Sequence, residues 1–229
     1  MQPTRAAIAV LAAALGLAGC AGGPGRHGPD GPRRLKPIAE PGQVVATELA
    51  FARMAQEEGQ WTAFADYAAD DAVMFTPERV RARDWLKGRA DPPSAVTWQP
   101  HELWLSCDGG LALSRGAWQT SGGQGEFVTI WQRQEDGGFK FVLDDGHALA
   151  TPLAEPEMIA SHVAKCDPKP GPAASVAPAD GGASPDRTLS WRIEPRGGGQ
   201  ALVVDSWNGS EDEPVLDWAI AAPGGGAPQ

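Results

Sequence analysis

Asp144, Asp145 and His147 stand side by side near the end of an apolar run, FKFVLDDGHAL. A carboxylate beside a histidine can act as an acid and base pair if an apolar enclosure strips both of water and moves their protonation toward neutral pH. The plainer reading is a DDG turn that ends a strand and leaves His147 in water. Upstream, Tyr67, the one tyrosine of the chain, lies on a helical stretch that also offers Asp66, Asp70 and Asp71. His101 follows Pro100 and reads as structural. HELW lacks the second histidine of a zinc helix, and the chain contains no CxxC, P-loop or GxSxG. No catalytic residue is assigned, and no metal or cofactor is expected.

The tryptophans weigh more than the charges. Six of the nine, Trp61, Trp85, Trp98, Trp104, Trp118 and Trp131, fall in one stretch of the chain. On a concave sheet such rings line an apolar pocket with indole donors at its rim, fit for a lipid, a sugar or an aromatic metabolite. The same rings also serve as ordinary core, and both readings stay open. The pocket reading names Tyr67, Trp104, Trp118, Trp131, Asp144 and His147.

The N-terminus supplies an address. Residues 1–19 carry Arg5, then small and apolar residues, and no acid, which is the form of a secretory signal peptide and too short to span a bilayer. The run ends on LAGC, Leu17 to Cys20, which resembles the lipobox of bacterial lipoproteins. That resemblance implies a lipid on Cys20 and a periplasm-facing body, with Ala21 favouring the outer membrane over the inner. Cys107 and Cys166 then remain as a pair, and an oxidising envelope favours a disulfide that closes a loop of about 60 residues, worth roughly 4 kcal/mol. Losing Arg5 takes the formal charge from -10 to -11. So acidic a chain, with no basic stripe beyond the tether, argues against nucleic acid as a partner.

These residues need elements to hold them. After a Gly, Pro and Arg-rich tether over 20–42, VVATELAFARMAQEEG places Val45, Leu49, Ala52 and Gln56 at helical spacing, with Gly59 as a left-handed cap. WTAFADYAAD reads as a second helix and DAVMF as a strand. TPERVRARDWLKG reads as a third helix, with Thr76 as N-cap, Pro77 at its first position and Gly88 at its end. Four strands follow, VTWQPHELWLSC, LALSRGAWQT, EFVTIWQRQE and FKFVLDDGHAL, joined by DGG, SGGQG and DGG turns. Pro100 cannot donate to a ladder and calls for a bulge or an edge position. Residues 167–186 read as a Pro, Gly and Ala linker. Residues 187–221 read as a β meander that leans on the first domain, and 222–229 as a disordered tail.

The order of helices, a short strand and a bent antiparallel sheet resembles the cone-shaped α+β fold of nuclear transport factor 2, ketosteroid isomerase and the SnoaL-like cyclases. FADYAADDAVMFTP and GEFVTIWQRQEDGGFKFVLDDG carry the likeness, which covers about 44–149 of the cone domain at 43–166. The resemblance implies a cone with three helices packed on its sheet, and pairing of two copies through the sheet's open face. It implies no function by itself, because the fold hosts enzymes, carriers and interaction modules alike. The reading for this chain is a membrane-anchored lipoprotein with a non-catalytic, small-molecule-binding or interaction domain. The alternatives are an isomerase, cyclase or dehydratase using Tyr67 with Asp66, Asp144 or His147, and an envelope scaffold without a pocket.

Overall fold

The computed structural model describes residues 38–76, 78–169 and 180–220. Cys20, the signal segment, most of the tether and the tail lie outside these. Helix α1 (Pro41–Glu57) starts on a proline in its first turn, where no backbone N–H is needed. Its buried stripe is Val44, Glu48, Phe51 and Ala55. The expected stripe was one residue off: Leu49 is 46% exposed, while Glu48 is fully buried. Helix α2 (Gln60–Tyr67) begins at Gly59, whose φ of 120° suits glycine. A Cβ there would lie 2.3 Å from the Asp91 carboxylate. Asp91 needs that space because it accepts hydrogen bonds from Thr62 N at 3.2 Å and Thr62 Oγ1 at 2.8 Å, capping the helix from a distant loop.

The third helix is shorter than the sequence suggests. Strand β1 (Ala68–Phe75) pairs antiparallel with β2 (Arg79–Arg81), and only Ala82–Leu86 forms helix α3. Ladder bonds to Val73–Phe75 claim the backbone that the proposed Thr76 cap would have started, so the local helix signal yields to sheet pairing. Strands β3 (Thr97–Leu105), β4 (Leu111–Thr120), β5 (Gly123–Arg133) and β6 (Phe139–Ala148) follow as expected. A short strand β7 (Ala160–Val163) then pairs parallel with β3. All four of its residues are exposed, so no apolar pattern announces it. The sheet runs β2-β1-β6-β5-β4-β3-β7, and β1 lies parallel to β6.

The C-terminal residues form a separate antiparallel sheet of β8 (Gly181–Ala183), β9 (Leu189–Arg196), β10 (Gly199–Trp207) and β11 (Asp212–Ile220), in the order β11-β10-β9-β8. Strand β8 falls inside the expected linker. This sheet does not extend the first one but stacks on it. Leu189, Trp191, Leu202, Val204, Leu216, Trp218 and Ile220 share one cluster with Val73, Leu113, Val128, Ile130 and Leu143 of the larger sheet. The opposite face of that sheet packs on α1 and α2 through Phe51, Ala63, Leu103, Trp131 and Phe141. We call the helix-covered face inner and the sheet-covered face outer. The face expected to pair two copies is therefore occupied within the chain.

Two hairpin turns of like sequence, Ser106–Leu111 (SCDGGL) and Ser184–Leu189 (SPDRTL), fasten the sheets together. In each, the serine hydroxyl donates to the turn aspartate, at 2.7 Å to Asp108 and 2.6 Å to Asp186. Each serine oxygen also accepts from the leucine N–H five residues on. The aspartates then bind each other's backbone, Asp108 N to Asp186 Oδ2 at 2.8 Å and Asp186 N to Asp108 Oδ2 at 2.9 Å. Burial alone would raise the Asp186 carboxyl, but donation from Ser184, Thr188 and Asp108 N–H holds it below its ordinary range.

The disulfide Cys107–Cys166 forms beside this junction, with Cα atoms 5.2 Å apart. It closes a loop with a separation of 59 residues. Replacing both cysteines by serine is expected to lower unfolding free energy by about 4 kcal/mol. Urea denaturation under oxidising conditions measures this, and equal midpoints for the two proteins would contradict it.

Candidate functional site

The inner face gathers the buried polar groups around Glu48. Its neighbours are the Ser114 hydroxyl, which donates in a short bond, Trp131 Nε1 at 2.9 Å and Trp98 Nε1 at 3.3 Å. Trp131 Nε1 also donates to Ser114 Oγ at 3.0 Å. Burial raises the Glu48 carboxyl, and the three donors only partly offset that. Phe51, one helical turn on, is ringed by Phe64, Tyr67 and Trp98, with centroids 4.7 to 4.8 Å away, and by Trp131 at 5.9 Å. Much of the expected aromatic lining is thus packed ring against ring.

Asp144 is the second inner carboxyl. It stays half-buried, and its Oδ2 accepts from Thr129 Oγ1 at 2.7 Å. Burial pushes it up to about 8, Thr129 pulls it down, and the charges of Glu48 and Asp145 push it up again. Neither Glu48 nor Asp144 takes part in an ion pair with a cation among the described residues. A carboxyl kept neutral in this way donates a hydrogen bond as well as accepting one.

Two one-residue bulges decide which expected residues reach this face. In β6, Trp131 faces Phe141 but Ile130 faces Leu143, so Val142 is extra. Strict alternation from Phe141 would send Asp145 and His147 inward, whereas the bulge turns Asp144 in and those two out. In β3, Pro100 faces Gly116 and Glu102 faces Arg115, leaving His101 as the extra residue beside the proline. That shift sends Trp104 outward. Tyr67, Trp118, Trp131 and Asp144 share the inner face, and the pocket assignments of Trp104 and His147 are corrected to the outer one. Trp118 lies over Gly125, where a Cβ would come within 2.4 Å of the indole.

The other acids and histidines named from the sequence lie elsewhere. Asp66 pairs with Lys140 at 3.7 Å and Asp70 with Arg83 at 2.9 Å, both in exposed settings. Asp71 is exposed. Tyr67 is raised by burial and then by Asp66, and it hydrogen-bonds to neither Asp66 nor Asp144 among the described residues. His101 is lowered by burial, with Glu155 opposing. Sequence reading missed Glu48, Ser114 and Thr129. For Glu48 the signal was available: shifting the α1 stripe by one residue joins it to Val44, Phe51 and Ala55.

No family model and no curated protein matches the chain. A candidate ketosteroid isomerase from Parabacteroides distasonis is 13% identical, covering 51% of this chain and 98% of that one, with a TM-score of 0.39. A cystatin-like fold protein from Burkholderia xenovorans is 16% identical over 48% of this chain and 92% of its own, at 0.39. An NTF-2 like protein of unknown function from Silicibacter pomeroyi is 15% identical over 48% and 99%, at 0.36. The similarity is to NTF-2-like and cystatin-like folds. It concerns about half of this chain.

The raised carboxyls set the pH response. A carboxyl whose folded value exceeds its unfolded one favours the folded state only while protonated, so stability falls as pH rises from about 4 through about 8, by at most about 1.4 kcal/mol per unit and group. Thermal midpoints are expected to drop between about pH 5.5 and pH 8.5 in the wild type. The drop should shrink in Asp144→Asn, and an unchanged slope there would contradict the assignment. Glu48→Ala, which strands the Ser114 and Trp98 donors and leaves Trp131 Nε1 with Ser114 Oγ alone, is expected to cost about 3 kcal/mol, and Glu48→Gln clearly less.

Proposed function

We propose that the chain is a lipid-anchored protein of the bacterial envelope whose cone-shaped domain binds a small, uncharged, largely apolar molecule without converting it. The LAGC sequence supports the anchor on Cys20, and Ala21 supports the outer membrane as its destination. The observation that carries the binding reading is Asp144, a half-buried carboxyl held neutral near physiological pH on the inner face, beside Thr129 and the aromatic rings of the helix-covered core. A charged ligand would forfeit solvation in such surroundings, whereas a carbonyl or hydroxyl on an apolar body meets a donor and loses little.

The isomerase alternative asks for several proton handlers around one point. That reading pairs Tyr67 with Asp66, Asp144 or His147; Asp66 is tied to Lys140 in an exposed setting, His147 lies on the outer face, and Asp144, on the same inner face as Tyr67, is hydrogen-bonded to Thr129 and not to Tyr67 among the described residues. That arrangement favours binding over catalysis. The scaffold alternative gains from the ring-against-ring packing around Phe51 and becomes an outcome of the test. Pairing of two copies, if it occurs, uses a surface other than the outer face. The acidic chain does not suit nucleic acid.

Native mass spectrometry of the protein released gently from its own membrane tests the reading. A retained small molecule is expected in the wild type and its loss in folded Asp144→Ala. A bare mass in every preparation overturns binding in favour of the scaffold. Separately, Cys20→Ala is expected to move the protein from the membrane fraction to the soluble one, and persistence in the membrane overturns the anchor.

A further inference from the structure

The seam between the two sheets holds an ionisable group that plays no part in ligand binding. Trp218 of β11 donates from Nε1 to Asp145 Oδ2 at 2.7 Å, and its ring lies 4.3 Å from the His147 imidazole. Asp145 is only 6% exposed, and its other oxygen accepts from Gly146 N at 2.9 Å. Next to it, Glu126 of β5 binds His147 Nε2 at 2.9 Å and Arg115 of β4 at 2.7 Å. We propose that this seam is a proton-sensitive latch: the C-terminal sheet closes Asp145 off from water, so the two sheets hold together more firmly when Asp145 carries a proton than when it is charged, and the Trp218 hydrogen bond offsets only part of the cost of burying the anion.

The charged and titratable groups around Asp145 are few. On its own strand they are His147, which faces the seam, and Asp144, which faces inward; Glu126 comes from β5 and Arg115 from β4. The C-terminal sheet meets it with Trp218, which pairs with Leu202 and shares an apolar cluster with Leu216 and Ile220. Asp217, the nearest acid on β11, turns outward to Arg196. Glu126 takes the Arg115 charge, so the guanidinium is not available to Asp145. The Asp145 anion is therefore left with two N–H donors and a neighbouring imidazole in a nearly dry seam. Burial raises this carboxyl to about 6, with Trp218, Gly146 and His147 opposing.

The sign follows from linkage. The docked state binds the proton more tightly than the released state, so docking is firmest in acid and weakens as pH rises from about 4 to about 6, with no further change above. Acidification of the surroundings locks the second sheet down, and neutral pH loosens it. Neither ligand nor lipid anchor enters this argument, so its failure would leave the proposed function standing.

Hydrogen exchange of the full chain, corrected for intrinsic rates, tests the latch at about pH 4.5 and about pH 7. Amides of β10 and β11 are expected to be about tenfold or more better protected at the lower pH, relative to those of β4 and β5. Asp145→Asn keeps an acceptor for Trp218 but cannot titrate, and should abolish the difference. Trp218→Phe removes a donor that stabilises the anion, and should widen it. Asp144→Asn should leave the ratio between the two sheets in place. Equal protection at both pH values in the wild type, or an unchanged difference in Asp145→Asn, overturns the proposal.

Discussion

One sheet buried on both faces is the constraint on which the rest of this structure depends. The strands β4, β5 and β6 carry apolar side chains on both sides, with Ala112, Trp131 and Phe141 toward the helices and Leu113, Val128, Ile130 and Leu143 toward the second sheet. A sheet with that pattern cannot leave either face in water without a large hydrophobic cost. The helices cover one side. The C-terminal strands cover the other, and the disulfide and the paired SxDxxL turns hold them there.

This sandwiching separates two kinds of polar chemistry. On the inner face the carboxyls of Glu48 and Asp144 meet only neutral donors, and burial drives both toward the protonated form. On the outer face Arg115, Glu126 and His147 compensate one another, and Asp145 is the exception. Single inserted residues at Val142 and His101 make the division, since each reverses the facing of everything beyond it in its strand.

Much of the architecture is legible in the sequence, for identifiable reasons. Strong period-two patterns and glycine turns mark β3 to β6. The bulge at Pro100 is announced by a proline that cannot donate. Strand β7 is not legible, because ASHV lies on an exposed edge where nothing demands an apolar pattern. The third helix was over-read, because Thr-Pro capping chemistry competes with a strand pairing that only tertiary contact reveals. Glu48 was passed over because hydrophobicity alone picks Leu49 for the core, while the partners that make a buried glutamate tolerable, Ser114 and Trp131, lie far along the chain. The face of His147 was misread because the bulge at Val142 leaves no mark in composition, and that of Trp104 because the bulge beside Pro100, though signalled, was not carried through to the residues beyond it.

The account stands or falls on the second sheet covering the first within one chain. A chain ending after Lys169, followed by size-exclusion chromatography and binding of a dye specific for exposed apolar surface, tests this most directly. The account predicts self-association or unfolding with strong dye binding, because Leu113, Val128, Ile130 and Leu143 would face water. A dye-silent monomer with the thermal midpoint of the full chain would contradict it.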